Sequence, residues 1–242
     1  MKALGVILAR SCSVGLANKH VRQLLGRPVI EYTLDHARAS SRLSKLVVST
    51  DCPGVRLLAQ SYGIETINRP PALATSDASV QDVMLHAMET IEANSSFRAD
   101  ALVVLYGNVP VRGDGLIDAS LSLLEETGCD SVRTFCPVGK WHPAWMSKLH
   151  GDRVEPLERG SIHRRQDLTP LYLHDGAAVA VSRSSMLLGR SSPDDPHAFF
   201  GQDRRGIQTG VGETIEIDHL RDLFWAEAVL RERQATRPRM AS

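Results

Sequence analysis

The chain has no excess of charge of either sign, few aromatic residues and no paired cysteines. Its 28 Lys and Arg residues balance 28 Asp and Glu residues, and aromatic residues make up only 5% of the sequence. This balance argues against a nucleic-acid or membrane partner, because both are usually bound through surfaces of net positive charge. The four cysteines form no Cys-x-x-Cys motif, so a structural zinc site is not expected.

Long apolar runs are also missing from the sequence. The first apolar run of the sequence ends at Ala9 and is too short for a secretory leader or for a helix that spans a bilayer. We therefore expect a cytoplasmic protein with reduced cysteines. Hydrophobic residues make up 43% of the 242 residues, which is enough to build the core of one domain over residues 1–242.

Short apolar runs alternate with amphipathic segments along the first 136 residues. The apolar runs predict strands at 4–9, 45–49, 64–67, 101–106 and 131–136. The amphipathic segments predict helices at 28–39, 53–61, 79–91 and 116–126, the third of them capped by Ser79. Repeated strand–helix–strand units predict an α/β fold with a mostly parallel sheet that is covered by helices.

This alternation ends after residue 136. Residues 139–173 are rich in Trp, His, Arg and Pro and have no helical period, which indicates an arm or hairpin rather than a long loop. A strand at 177–181, a polar loop at 191–206 and a strand at 214–217 are predicted to follow. The last helix is expected to bury one face that carries Leu220, Leu223, Phe224 and Leu230.

Ligands of open parallel sheets bind at the carboxyl ends of the strands. The first strand is followed by a loop of small residues with Arg10 and Lys19, which could surround phosphates, although such a loop taken alone is more often an ordinary connection. Asp51 follows the second strand, where a helix N-cap is the simpler interpretation. Asn108 follows the fourth strand in a tight turn.

Two further segments carry groups that bind ions or acids. Glu216 and Asp218 are two positions apart at the end of the predicted strand 214–217. Side chains two positions apart in a strand lie on the same side, so these carboxylates would suit Mg²⁺. Asp218 could also cap the last helix. Arg164 and Arg165 precede Gln166, and a guanidinium can bind a carboxylate through two hydrogen bonds.

Taken together, these segments resemble the acylneuraminate cytidylyltransferase family. The matching motifs keep the family's order along nearly the whole chain: ILAR..S.G at 7–15 with Lys19, VVSTD at 47–51, RP at 69–70, SDASVQDVMLHA at 76–87, HP at 142–143, RRQDLTPLY at 164–172, DGA at 175–177 and EID at 216–218. The resemblance implies a three-layer fold of the nucleotide-diphospho-sugar transferase type, which is Rossmann-like. It also implies a homodimer in which the arm 139–173 reaches the partner.

The resemblance further implies a reaction and a set of site residues. CMP would pass from CTP to the anomeric hydroxyl of a nonulosonic sugar acid with release of pyrophosphate, assisted by Mg²⁺ on Asp218 and Glu216. Arg10, Lys19 and Asp218 would carry catalysis. The implied nucleotide-binding residues are Ala9, Arg10, Ser13, Gly15, Lys19, Arg69, Ala78, Ser79 and Asn108. The implied sugar-binding residues are Arg165, Gln166, Tyr172 and Asp175.

The chain departs from the family pattern around the phosphates. Val14 replaces a usual Lys, His20 replaces a usual Asn, and Glu216 replaces a usual Asp. Several functions therefore stay open. One is an active enzyme in which Arg204 or Arg205 compensates for the lost Lys. The others are a non-catalytic nucleotide-binding member, a synthetase of the CMP-Kdo type and an enzyme that uses another nucleotide.

Overall fold

The computed structural model describes residues 1–11, 15–158, 160, 162–192 and 194–236. The strands are β1 Ala3–Ala9, β2 Gln23–Leu24, β3 Arg27–Pro28, β4 Leu43–Thr50, β5 Glu65–Asn68, β6 Ala101–Tyr106, β7 Ser131–Pro137, β8 Ser147–His150, β9 Arg153–Pro156, β10 Tyr172–Ser182 and β11 Arg204–Gln208. The α-helices are α1 Val29–Ala39, α2 Pro53–Ser61, α3 Val80–Asn94, α4 Leu116–Thr127, α5 Arg183–Ser191 and α6 Leu220–Thr236.

Seven strands form one sheet in the order β11-β7-β10-β6-β1-β4-β5. All neighbours are parallel except β10, which runs antiparallel to both β6 and β7. Apolar side chains of α1, α2 and α4 pack on one face of this sheet, and those of α3 and α5 pack on the other. The predicted three-layer α/β fold with a mostly parallel sheet is confirmed.

The second half of the chain differs from the prediction in several elements. The expected strand 214–217 is an isolated antiparallel bridge between Ile215 and Val111. The expected polar loop 191–206 ends in β11, and the helix α5 before it was not predicted. β11 has the sequence RRGIQ, and four of its five residues are exposed, so it lacks the apolar pattern that reveals a strand.

Helix α6 buries a different face from the one predicted. Leu220 is 50% exposed and Phe224 is 62% exposed, whereas Ala226 is fully buried. Leu223 and Leu230 do pack against a small third core under α6, together with Val229. No helix among the described residues is long and apolar enough to cross a membrane.

The region 139–173 contains a hairpin. Strands β8 and β9 pair in antiparallel fashion, and all eight of their residues are exposed. The exposed side chains around this hairpin include large apolar ones, among them Trp141 at 68%, Leu149 at 71% and Val154 at 65% exposure. Among the described residues these apolar side chains remain exposed, and the predicted role of the arm in dimerisation stays a prediction.

Candidate active site

A cavity of about 240 Å³ lies at the carboxyl ends of β1 and β6. Its walls include side chains from the loop after β1, from the segment after β5, from the start of α3 and from the chain before α6. Most of the residues predicted to bind nucleotide line it, namely Arg10, Lys19, Arg69, Ala78, Ser79 and Asn108, and Glu216 lines it with them. The fold thus brings together residues that are up to 206 positions apart in the sequence, from Arg10 to Glu216.

Asn108 joins the two candidate metal ligands. Its Nδ2 donates to Glu216 Oε1 at 3.0 Å and to the carbonyl oxygen of Ile217 at 3.0 Å, and it lies 3.5 Å from Asp218 Oδ1. Backbone pairing holds the two segments together, since the amide of Ile217 donates to the carbonyl oxygen of Asn108 at 2.8 Å. The two carboxylates therefore share one side of the segment, as predicted, although the segment is not a strand.

Lys19 and Asp218 form an ion pair at the edge of this cavity, with 2.9 Å between Nζ and Oδ1. Asp218 is not seen to cap α6 through its side chain. The contact runs the other way, because Asp222 Oδ2 accepts from the amides of Asp218 at 3.0 Å and His219 at 2.7 Å. The carboxylate of Asp218 is thus available to cations, and Lys19 is the one that it contacts in this structure.

The charge of Glu216 affects the ionisation of Tyr106, and burial shifts the pKa of both groups. Glu216 keeps part of its surface in solvent, yet the protein packed around its carboxylate reduces its hydration and raises its pKa, with the charge of Asp218 adding to this effect and Asn108 opposing it. Burial, followed by the charge of Glu216, raises the pKa of Tyr106 to about 12. Tyr106 therefore stays neutral and presents a phenol to the cavity.

Arg10 and Arg69 supply fixed positive charge. Arg10 Nη1 donates to the carbonyl oxygen of Thr75 at 2.5 Å. Arg69 is buried, and its Nη2 donates to the carbonyl oxygen of Ser49 at 2.8 Å. Burial lowers the pKa of Arg69 to about 10, which still leaves the guanidinium charged at neutral pH.

His20 adds a neutral ring to this group of cations. Burial, followed by the charge of Lys19, lowers the pKa of His20 to about 3. Its Nδ1 is buried without a hydrogen-bond partner among the described residues, close to the backbone of Gly107. The residue that replaces the family's usual Asn therefore contributes polar atoms and no charge.

The remaining predicted nucleotide residues also lie near this cavity or fall outside the described ranges. Ser79 caps α3, as predicted, by accepting from the amide of Asp82 at 3.0 Å. Ala9 is the last residue of β1. A side chain at Gly15 would overlap the carbonyl oxygen of Asp218, so glycine allows the loop to approach the acid segment. Ser13 lies outside the described residues.

Three of the predicted sugar-binding residues lie elsewhere in this chain. Arg165, Gln166 and Tyr172 line a second cavity of about 270 Å³ at the base of the arm, with Gly139 and His142. All three are exposed. One chain therefore does not unite the predicted sugar residues with the nucleotide cavity.

Asp175 is engaged inside the protein. Its carboxylate accepts from the hydroxyls of Thr134 and Thr209, the latter at 2.6 Å, and from the amide of Ala177 at 3.0 Å. The next residue, Gly176, has a positive φ of 77°, and a side chain there would lie 3.5 Å from the Tyr106 ring. Asp175 is thus occupied by contacts within the protein and does not line the cavity that contains Arg10 and Lys19.

The proposed compensating arginines do not line the cavity that contains Arg10 and Lys19. Arg204 and Arg205 belong to β11 at one edge of the sheet, with β7, β10 and β6 between them and β1. Arg205 pairs with Asp203 at 2.7 Å, and Arg204 Nε donates to the carbonyl oxygen of Gly201 at 2.7 Å. The expectation that either one replaces the lost Lys was wrong.

The donor set fits a magnesium ion that also binds phosphate. The described residues contain no cluster of three or more His, Cys, Asp or Glu side chains that could hold a metal by themselves. Mg²⁺ is commonly held by one or two carboxylates together with substrate phosphates, and Glu216 and Asp218 provide such a pair. Sequence reasoning missed Tyr106, Thr75 and Ser76 as lining residues, although Tyr106 ends β6 and the strand-end rule could have found it.

Comparison with known protein families agrees with this geometry. The model of the family described as cytidylyltransferase matches residues 4–196. The chain belongs to the cytidylyltransferase family. The span that the family model matches includes Arg10, Lys19, Arg69 and Asn108, whereas Glu216 and Asp218 lie after it.

Individual proteins of known name are similar to this chain along most of its length. The N-acylneuraminate cytidylyltransferase of Streptococcus agalactiae serotype V is 31% identical over 222 residues, which are 90% of this chain and 51% of that protein. The CMP-N,N'-diacetyllegionaminic acid synthase of Legionella pneumophila is 25% identical and is matched over 90% of this chain and 91% of its own length. This cytidylyltransferase-family chain thus spans about half the length of the streptococcal relatives that it matches.

A solved structure supports the fold. CMP:2-keto-3-deoxy-manno-octonic acid synthetase complexed with CTP superposes with a TM-score of 0.72 at 18% identity, over 96% of this chain and all of that one. At this identity the likeness concerns the fold alone. It agrees with the three-layer architecture that positions the cavity.

Proposed function

We propose that the chain is a magnesium-dependent cytidylyltransferase that transfers CMP from CTP to the anomeric hydroxyl of a nonulosonic sugar acid and releases pyrophosphate. The observation that carries the proposal is the single cavity in which Arg10, Lys19, Arg69, Asn108 and Glu216 meet in a chain of this family. A cytoplasmic location, where CTP is available, is part of the proposal.

The cavity residues divide the work of binding and transfer. Lys19 and Arg10 are placed to neutralise phosphate charge, and in such transfers positioning and electrostatic stabilisation account for most of the catalysis. Glu216 and Asp218 would hold Mg²⁺, which supplies Lewis-acid charge to phosphate oxygens. Arg69, Ala78 and Ser79 also line this cavity, and we place the cytidine portion against them.

The proposed reaction breaks the bond between the α- and β-phosphates of CTP. The anomeric oxygen of the sugar acid forms the new bond to the α-phosphorus, and its proton leaves to solvent or to a cavity carboxylate. Pyrophosphate departs with the pair of electrons from the broken bond. Asn108 keeps the two carboxylates oriented through its amide hydrogens during this transfer.

Pyrophosphate release tests the proposal. The assay uses CTP, Mg²⁺ and a panel of sialic, legionaminic and pseudaminic acids and Kdo, with UTP, ATP and GTP as competing nucleotides. We expect release with CTP and at least one acid, and loss of release in Asp218→Asn. Arg205→Ala is the matched control, because it removes a charge at the far edge of the sheet. CTP binding without release from any acid would favour the non-catalytic alternative.

We also propose that the arm 139–173 completes the sugar site of a partner in a homodimer. This explains why Arg165, Gln166 and Tyr172 lie apart from the nucleotide cavity and why the hairpin exposes apolar side chains. Mixing two inactive variants, Arg165→Ala and Asp218→Asn, should restore activity, because a mixed dimer contains one site with both residues intact. Light scattering that gives a monomer, or no recovery on mixing after subunit exchange, would refute this arrangement.

A further inference from the structure

Asp51 binds the start of the loop that carries the proposed phosphate contacts. β1 and β4 are parallel neighbours and end together, with Ala9 opposite Thr50. Asp51 Oδ1 accepts from the amide of Ser11 at 2.7 Å, and Asp51 Oδ2 accepts from the Ser11 hydroxyl. Both carboxylate oxygens therefore hold one residue of the loop that follows Arg10.

Asp51 does not serve as the cap that the sequence suggests. The residue before α2 is Cys52, and its amide is bonded instead to the hydroxyl of Thr50, at 3.0 Å. No side chain caps α2. The Asp51 side chain therefore does not cap the helix that follows it, and its contacts with Ser11 need another explanation.

The surroundings keep Asp51 ionised. Burial alone would raise the pKa of its carboxyl, but the hydroxyl and amide of Ser11 outweigh burial and hold the pKa below its usual value, with help from Arg69. Arg69 itself is fixed to the end of β4, since its backbone amide donates to the carbonyl oxygen of Thr50 at 3.1 Å. The Asp51 carboxylate thus keeps its charge next to the proposed phosphate site, because these hydrogen-bond donors stabilise it.

Arg10 and Ser11 are consequently held from opposite sides. Arg10 reaches across to the carbonyl oxygen of Thr75 at 2.5 Å, and Ser11 is held by Asp51. Arg10, Ser11, Asp51 and Thr75 all line one cleft of about 740 Å³ that adjoins the nucleotide cavity and shares Arg10 and Arg69 with it. The backbone direction at residues 10 and 11 determines where the Arg10 guanidinium lies.

We propose that Asp51 is a positioning residue for CTP, which fixes Ser11 so that the preceding residue, Arg10, is directed toward the phosphates. The inference rests on the proposed CTP-dependent function and adds to it a residue that does not touch the substrate. Its role is to reduce the conformational freedom that the loop would otherwise lose when the nucleotide binds.

The experiment compares Asp51→Ala with Asp118→Ala. Asp118 is a matched control, because its carboxylate also accepts from serine hydroxyls, those of Ser40 and Ser41, and from the backbone amide of Ser41. These contacts lie before the amino end of β4, whereas Asp51 follows its carboxyl end. CTP affinity is measured by titration calorimetry and turnover by pyrophosphate release, and unfolding in urea reports stability. We expect Asp51→Ala to weaken CTP binding by about 10- to 100-fold, the scale of lost charged hydrogen bonds. The Asp118 variant should bind CTP as the wild type does.

A third and a fourth variant separate positioning from general destabilisation. Ser11→Ala, which removes the hydroxyl and keeps the amide contact, should weaken CTP binding by about 3- to 10-fold and serves if Asp51→Ala does not fold. In an Arg10→Ala background the effect of Asp51→Ala should largely disappear, because the residue that it directs is gone. The KM for the sugar acid should stay unchanged.

Two failures are distinguishable in this design. A wild-type protein that neither binds CTP nor releases pyrophosphate overturns the proposed function. A wild-type protein that does both, with equal CTP affinity in the Asp51 and Asp118 variants, overturns the positioning role alone. The positioning role is also overturned if Asp51→Ala lowers CTP affinity as much in the Arg10→Ala background as in the wild type, since Asp51 would then act by another route.

Discussion

Ser79 caps α3 and also lines the proposed cytidine site, so its contribution to the stability of the fold can be separated from its contribution to CTP affinity. Its Oγ accepts from the amide of Asp82 at 3.0 Å and donates to Asp82 Oδ2 at 2.7 Å, so it caps α3. Replacing a serine cap with alanine costs about 1 kcal/mol. For a protein of this size that lowers Tm by roughly 2–4 °C.

The matched comparison is Ser182→Ala. Ser182 caps α5 by accepting from the amide of Ser185 at 3.1 Å, and it pairs with Ala101 at the amino end of β6, away from the cavity. Both alanine variants should therefore lose similar stability. Only Ser79→Ala should also weaken CTP binding, by about 2- to 12-fold, which corresponds to one neutral hydrogen bond of 0.5–1.5 kcal/mol.

Differential scanning calorimetry and CTP titration check these values. Ser79→Thr retains both the hydroxyl and the cap, so it should keep Tm and CTP affinity close to those of the wild type. Equal loss of CTP affinity in the two alanine variants would mean that the affinity follows stability. An unchanged Tm in Ser79→Ala would contradict the cap itself.

Three further predictions concern the loop and the ionisation of a buried histidine. Gly15→Ala should lower kcat/KM for CTP by about 10- to 100-fold, because its Cβ would overlap the Asp218 carbonyl oxygen and displace backbone at a cost of about 1–3 kcal/mol; full activity in steady-state assays would contradict this. Lys19→Met should weaken CTP binding by about 10- to 150-fold, and Lys19→Arg should recover part of it in the same titration; a wild-type affinity in Lys19→Met would remove Lys19 from the site. Burial, together with Arg112, lowers the pKa of His36 to about 4, so the folded state favours the neutral ring and loses stability as the pH falls from about 6.5 toward 4. His36→Gln should therefore lose about 2 kcal/mol less than the wild type between pH 7 and pH 5 in urea unfolding, and parallel pH curves would refute the assignment.

The sequence predicts the first half of the fold well because its central strands, β1 and β6, are uninterrupted apolar runs. β6, with the sequence ALVVLY, is buried on both faces and could hardly be assigned otherwise. The position of the cavity follows from the same reasoning, since Arg10 and Asn108 come directly after β1 and β6. Family motifs then indicate Arg69, which no local pattern would single out.

The features that could not be predicted depend on contacts between distant segments. β11 is mostly polar and becomes a strand because β7 offers it backbone hydrogen bonds. Glu216 and Asp218 do face one side, as predicted, but the cause is tertiary, because contacts between Asn108 and Ile217 hold that segment and no strand does. The contact between Asp51 and Ser11 is likewise tertiary, so local sequence favours the cap that the structure does not contain.

The charges around the cavity give a reason why the proposed CTP binding should depend on a metal ion, and this reason does not rest on related proteins. Among the described residues, the cations Arg10, Lys19 and Arg69 face a similar number of carboxylates, those of Asp51, Glu216 and Asp218. His20 adds no positive charge, because its pKa is about 3. A site with so little net charge attracts a triphosphate weakly, and a divalent cation on the two acids would make it positive. The proposed function therefore requires that CTP affinity fall sharply when magnesium is removed, and that Glu216→Gln with Asp218→Asn lessen this dependence on magnesium.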